Sequence, residues 1–127
     1  MTRAKHPIRI LIVDDHDMLR EGLASFLRAY ADLKMVGEAA SGSEAIRLCR
    51  DLKPDVVLMD LMMPEMDGVS AIQSIHQEQP DIRLIALSSF SDDSLVKSAL
   101  RAGATGYLLK NVPAARLAEA IRAAHAG

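Results

Sequence analysis

The sequence predicts an α/β fold: a five-stranded parallel sheet with helices packed on both faces. Three observations carry this. Short apolar runs alternate along the chain with longer amphipathic stretches, five of each. The strongest runs, 8–13, 55–59 and 82–87, have almost no polar interruption, as strands covered on both sides require. The connections are short, with no repeat, linker or low-complexity tract, so 127 residues build one unit rather than two.

The first strand, Ile8 to Val13, is broken only by Arg9. In the helix after it, Leu19, Leu23, Phe26, Leu27 and Tyr30 recur at spacings of three and four and share a face. Lys34 to Ala39 is a weaker second strand, placed nearer a sheet edge. Ser41 with Glu44 three residues later is a capping-box signature and opens the second helix. The third strand is Asp55 to Met59. The third helix follows Asp67 and Gly68 and must stop before Pro80, which disfavours helical backbone in the residue before it. Ile82 to Leu87 forms the fourth strand. The fourth helix is expected from Ser91, with Asp92 and Asp93 in its first turn where acidic groups suit the helix dipole, and it closes near Gly103. Thr105 to Leu109 is a second edge-type strand. Pro113 is read as the first helical residue of the fifth helix, which turns Leu117, Ala120, Ile121 and Ala124 to one side. Each crossover is right-handed, but the pattern alone leaves the strand order open.

Composition narrows the function. Half of the residues are apolar but only 3% are aromatic, so the core is aliphatic. A formal net charge of −2 gives no field for holding nucleic acid or an anionic membrane surface. No apolar run approaches the roughly 18 residues of a membrane span. The start, MTRAKHPIRILIV, is basic, but Arg9 interrupts it and it runs into Asp14 and Asp15, unlike a signal peptide. The single cysteine, Cys49, lies on the apolar face shared by Ile46 and Leu52 and is read as a buried small hydrophobe. A reducing cytoplasm is the expected setting.

Polar residues gather at the strand ends. Asp14 and Asp15 close the first strand, Asp60 the third, Ser88 the fourth and Lys110 the fifth. In a parallel sheet these ends share one edge, where open α/β proteins bind ligands. An aspartate at a strand end is ordinarily a cap or turn former; it is the joint placement that implies a site. Three carboxylates cannot be neutralised by one lysine, whereas a hard divalent cation can meet them. A carboxylate is also a nucleophile able to form an aspartyl phosphate, and phosphoryl transfer needs mainly positioning and charge neutralisation. His16 follows the acidic pair, but no second His or Cys stands at ligand spacing, which argues against a metal role for it.

Five blocks, ILIVDDH (10–16), DVVLMDLMMPEMDG (55–68), LIALSSF (84–90), GYLLK (106–110) and AEAIRAAHAG (118–127), together resemble the receiver domain of bacterial two-component response regulators, in particular the NarL/FixJ type. The resemblance covers nearly the whole chain and implies a flavodoxin-like (βα)5 fold with strand order 2-1-3-4-5. It implies that Asp60 is the phosphoacceptor and that Asp14, Asp15, Asp60 and the main-chain carbonyl of Met62 hold Mg2+ or Mn2+. Lys110 and Ser88 then contact the phosphoryl group, Ser88 and Tyr107 act as the switch pair, and Phe90 limits the access of water to the phosphorylated aspartate. Pro64 stiffens the loop after the acceptor, and Met59, Met62, Met63 and Met66 are expected in core and loop packing. The implied partners are a sensor histidine kinase and, on phosphorylation, a second copy of the chain. Regulators of this type add a C-terminal helix-turn-helix that controls transcription, so residues 1–127 are read as the receiver domain alone. Two departures stand out: Asn111 where many receivers have a proline after the lysine, leaving the isomer of that bond open, and Ser88 where threonine is common.

Two other classes remain in play. A metal-dependent phosphatase with an aspartate nucleophile generally needs a second acidic residue two positions on, where this chain has Met62. A flavodoxin-like nucleotide-binding module needs a phosphate-cradling loop, and DDHDM after the first strand is hostile to phosphate without a metal.

Overall fold

The computed structural model describes residues 6–63, 67–89 and 92–127. Pro64, Met66, Phe90 and Ser91, to which the sequence assigns roles above, lie outside them. The chain alternates β1 (Ile8–Val13), α1 (Asp17–Arg28), β2 (Leu33–Ala39), α2 (Gly42–Leu52), β3 (Val56–Asp60), α3 (Gly68–Glu78), β4 (Arg83–Ser88), α4 (Asp93–Ala102), β5 (Gly106–Leu109) and α5 (Ala114–Ala126). All strand pairings are parallel and the order is β2-β1-β3-β4-β5, the order expected from the resemblance. The two weaker strands are indeed the edges.

Strand alternation sorts the core into two layers. Ile8, Ile10, Ile12, Val56, Leu58, Ile85 and Leu87 face one side with Leu27 of α1 and Leu117, Ala118 and Ile121 of α5. Leu11, Val13, Val57, Met59, Leu84 and Ala86 face the other with Ala45 and Cys49 of α2, Ile72 and Ile75 of α3 and Ala99 of α4. The Cys49 thiol is fully buried, and burial first, with Glu78 nearby, pushes it up to about 12, so it stays a neutral apolar filler. Met59 and Met63 pack as expected, whereas Met62 is exposed.

The helix starts depart from expectation in detail. Asp92 is the N-cap of α4, its carboxylate accepting from the Leu95 amide, and only Asp93 lies in the first turn. Pro113 is the cap of α5, in extended backbone, instead of its first helical residue. Ser41 caps α2 through the Glu44 amide, but Glu44 Oε1 accepts from Ala40 at 2.8 Å, one residue before the amide that a standard capping box engages. Tyr30 lies beyond the end of α1 yet still packs on its layer. Every peptide bond among the described residues, Lys110–Asn111 included, is trans.

Candidate functional site: an acidic pocket at the C-terminal edge of the sheet

Register brings the acidic residues level. Val13 pairs with Met59, so one step further Asp14 and Asp60 stand side by side; Asp60 pairs with Leu87 and Ser88 with Leu109. Sheet-like hydrogen bonds continue past the strand ends. Asp14 N–H donates to Ala39 O at 3.0 Å, Leu61 N–H to Leu87 O at 3.0 Å, and Lys110 N–H to Ser88 O at 2.8 Å. The loops leave the sheet only after the polar residues have been fixed by the ladder.

Asp60 is fully buried, Asp14 nearly so, and Asp15 is 26% exposed. Lys110, its side chain 14% exposed, sets Nζ 2.9 Å from Asp14 Oδ2 and 3.1 Å from Asp60 Oδ1. The Met62 amide donates to Asp60 Oδ1 at 3.1 Å, which places residue 62 against the carboxylate by its main chain. The His16 amide donates to Asp14 Oδ1 at 2.8 Å, and His16 Nδ1 lies 2.9 Å from that oxygen and 3.2 Å from Asp15 Oδ1. Three buried oxygens, Asp14 Oδ2, Asp15 Oδ1 and Asp60 Oδ2, accept no aligned hydrogen bond from the described residues; Lys110 meets the first and His16 Nδ1 the second only as ion pairs, and Asp60 Oδ2 has neither.

The electrostatics follow from crowding. Burial first, then the charge of Asp14, raises the Asp60 carboxyl above its usual range, against the pull of the Met62 amide and Lys110. Burial pushes Asp14 the same way, but Lys110 and the His16 amide and ring outweigh it and hold Asp14 low. Lys110 would be lowered by burial, yet its two carboxylate partners raise it, so it stays charged. Buried carboxylate oxygens without partners are costly unless a cation meets them. Ligand atoms of Asp14, Asp15, His16 and Asp60 all lie within 4.8 Å of one another, a span that one metal ion can bridge. The donor set therefore fits a divalent cation.

The structure thus brings Asp14, Asp15, Asp60 and Lys110 together, and of Met62, expected to offer its carbonyl, it places the amide against Asp60 Oδ1. Ser88 is fully buried at the neighbouring strand end. Tyr107, half-buried on β5, pairs with Ala86 and packs on the layer of α2, α3 and α4. Three residues to which the sequence reading gave no role in the site lie against it. His16 was set aside for want of a second His or Cys along the chain, whereas its neighbours in space are carboxylates from two strand ends. Gly68 opens α3 so close to the acceptor strand that a Cβ there would lie 2.3 Å from Asp60 O and 2.7 Å from Leu61 Cα. Arg20, on α1, donates from its guanidinium to Asp14 O at 2.6 Å. The Asp67–Gly68 pair hinted at the second, since glycine at a helix start signals close backbone approach; nothing in the pattern marked Arg20.

A doubly wound parallel sheet carrying an acidic pocket and a lysine at its carboxyl edge defines a class of signalling domain. The family model of the response regulator receiver domain matches residues 10–122, and the chain belongs to that family. It is 52% identical over 120 residues to the transcriptional regulatory protein LiaR of Bacillus subtilis, covering 94% of this chain and 57% of that protein. To the response regulator protein VraR of Staphylococcus aureus it is 47% identical over 115 residues, covering 91% of this chain and 55% of VraR. The chain spans just over half the length of these curated relatives. Among solved structures, a LuxR-family two-component response regulator from Aurantimonas superposes with a TM-score of 0.91 at 36% identity, covering 95% of this chain and 86% of that one. The signal receiver domain described as that of the response regulator NarL from Mycobacterium tuberculosis gives 0.93 at 31% identity, covering 97% and 99%. The NarL-type reading and the fold drawn from sequence both hold.

Proposed function

We propose that this receiver accepts a phosphoryl group on Asp60 from the phosphohistidine of a sensor histidine kinase, in a reaction requiring Mg2+ or Mn2+. One observation supports this above others: Asp60 is a fully buried carboxylate with one oxygen fixed by Lys110 and the Met62 amide and the other without a partner among the described residues. A buried nucleophile so presented has lone pairs directed at whatever enters the pocket. Asp14, Asp15, Asp60 and the Met62 carbonyl are the residues to hold the ion. When bound, that ion supplies positive charge to the phosphoryl oxygens. Asp60 attacks phosphorus in line, the P–N bond to the kinase imidazole breaks, and Lys110 neutralises charge on the transferred group.

Ser88 then hydrogen-bonds a phosphoryl oxygen and Tyr107 turns inward, shifting the population of the face formed by α4, β5 and α5. The output is self-association and, in the full-length regulator, control of transcription through a C-terminal DNA-binding domain; LiaR is named as a transcriptional regulator. The chain is not an enzyme beyond this phosphotransfer and slow dephosphorylation of itself, and it works in the cytoplasm. No described helix is long and apolar enough to cross a membrane.

With Mg2+ and an acyl phosphate donor, the wild-type chain should take up one acid-stable, base-labile phosphoryl group, and Asp60→Asn none. Uptake persisting in Asp60→Asn would overturn the assignment. Repeated turnover of unrelated phosphate esters would favour a phosphatase instead.

A further inference from the structure

We propose that the cleft between α1 and α5 is a binding site for a compact, neutral, apolar molecule of about benzene size, seated against the stem of Lys110. The two helices share one face of the sheet but do not close over it. α1 lies over β1 and β2, and α5 over β3, β4 and β5, whereas on the opposite face α2 packs on α3 and α3 on α4. Between α1 and α5 a cleft of about 130 Å3 is left. Leu19, Leu23 and Phe26, successive rungs of α1, line it and are only half-buried. Leu117 of α5 and Leu87 of β4 are buried along it.

Past Phe26 the helices are joined. Arg122 of α5 donates from Nε and Nη2 to the Asp32 carboxylate, just beyond the end of α1, at 2.7 and 3.0 Å. Its guanidinium lies 5.2 Å from the centre of the Tyr30 ring, and that ring meets Phe26 edge-on. The gap therefore ends there as a pocket instead of running on as a groove. Toward the carboxyl edge of the sheet it reaches Lys110, the one polar residue among those described along it. The Lys110 ammonium is held by Asp14 Oδ2 at 2.9 Å and Asp60 Oδ1 at 3.1 Å, so the cleft meets its methylene stem and not its charge. A ligand carboxylate would have to draw that ammonium from two others, and a hydroxyl would be buried among leucines without a partner. A neutral hydrocarbon meets neither cost. Apolar cavities of about 150 Å3 lined by Leu, Ile and Phe stay dry and take benzene, and this cleft is of that scale. A helix about 10–12 Å across is far too wide for it, so a protein partner fits at most one side chain. An occupant packs on the methylenes whose ammonium bridges Asp14 and Asp60, which ties the cleft to the acceptor pocket.

The test titrates the whole chain, labelled at its leucine methyls, with fluorobenzene and follows methyl and fluorine NMR signals. The wild type should bind saturably at about millimolar concentration, with shifts gathered on Leu19, Leu23 and Leu117. Leu23→Phe and Ala114→Leu narrow the cleft from opposite walls and should each weaken binding about tenfold or more; with two such variants, one that fails to fold leaves the other to decide. Gly22→Ala, on α1 where an added methyl meets nothing within 4 Å, should leave the affinity unchanged. Benzoate should bind about tenfold more weakly than fluorobenzene, or worse. Shifts that never saturate, equal binding in the narrowed variants, or a preference for benzoate would each overturn the inference. So would a dimer in sedimentation that Leu23→Phe abolishes while fluorobenzene shifts nothing, since the cleft would then belong to a second copy of the chain.

Discussion

Arg20 stands six residues beyond Asp14, inside α1, yet its guanidinium reaches back to the Asp14 carbonyl at 2.6 Å and across to Glu38 of β2 at 2.7 Å, and it pairs with Asp17. Its side chain is only 13% exposed. One planar fork therefore ties the turn that carries Asp14, Asp15 and His16 both to the neighbouring strand and to the helix that follows. Such a residue acts on the pocket by holding its main chain in place. In the sequence it was invisible, because an arginine on a helix reads as solvated surface until the fold curls the helix start over the strand end. Arg20→Ala should cost about 1–2 kcal/mol in unfolding free energy, the scale of a lost charge-assisted hydrogen bond. It should also weaken Mg2+ binding about tenfold, as loss of ligand support does. Lysine keeps the charge but not the fork, so Arg20→Lys should recover only part of either. Calorimetric Mg2+ titration decides; wild-type affinity in Arg20→Ala would show that the turn holds without the clamp.

Between elements, the junction of β3 and α3 is the tightest in the site. Asp67 caps α3 through the Ser70 amide at 2.7 Å, and Gly68 N–H returns to Leu61 O at 3.2 Å, drawing the helix start against the acceptor strand. Main-chain atoms at 2.3 and 2.7 Å from a notional Cβ at Gly68 cannot yield as a flexible side chain would. Gly68→Ala should therefore destabilise by about 2–3 kcal/mol or more and displace Asp60, abolishing phosphoryl uptake even where the protein is kept folded at low temperature. Thermal melting alongside the phosphorylation assay checks both; an alanine variant with normal uptake would show that the junction can open. The same scale explains which boundaries were legible. Strand cores from Ile10 to Val13 and from Val56 to Met59 were plain from composition, since both faces are buried. Helix starts were read two residues early at Ser91 and one residue early at Pro113 because residues of the first turn and the cap have the same preferences, and only the path of the chain separates them.

For the molecule as a whole, the pocket sets function against stability. Its membership was readable because each strand end contributes a polar residue to one edge, while the pairing within it depends on register and burial that no local pattern encodes. Asp60 is raised above its ordinary 3.8, by burial first and by Asp14 after it. A carboxyl raised in the folded state binds its proton more tightly there than in the unfolded chain, so its contribution is fullest below 3.8 and declines as pH climbs through the folded value. Asp14 has the opposite sign: lowered from 3.8, it stabilises above that pH and loses the effect as pH falls through its own folded value. At neutral pH without metal, ionised Asp60 therefore opposes folding, and Asp60→Asn removes the opposition while leaving the 2.9 Å Asp14–Lys110 pair intact. In chelator at pH 7 the variant should melt about 3–6 °C above wild type, on the order of 1 kcal/mol. The gap should narrow as the pH is taken down into the acid range. Saturating Mg2+ should then raise the wild type more than the variant, because only a native state that binds the ion is stabilised by it. An Asp60→Asn protein melting below wild type in chelator at neutral pH would mean that the buried carboxylate is already compensated, and the electrostatic drive for cation binding would have to be sought elsewhere.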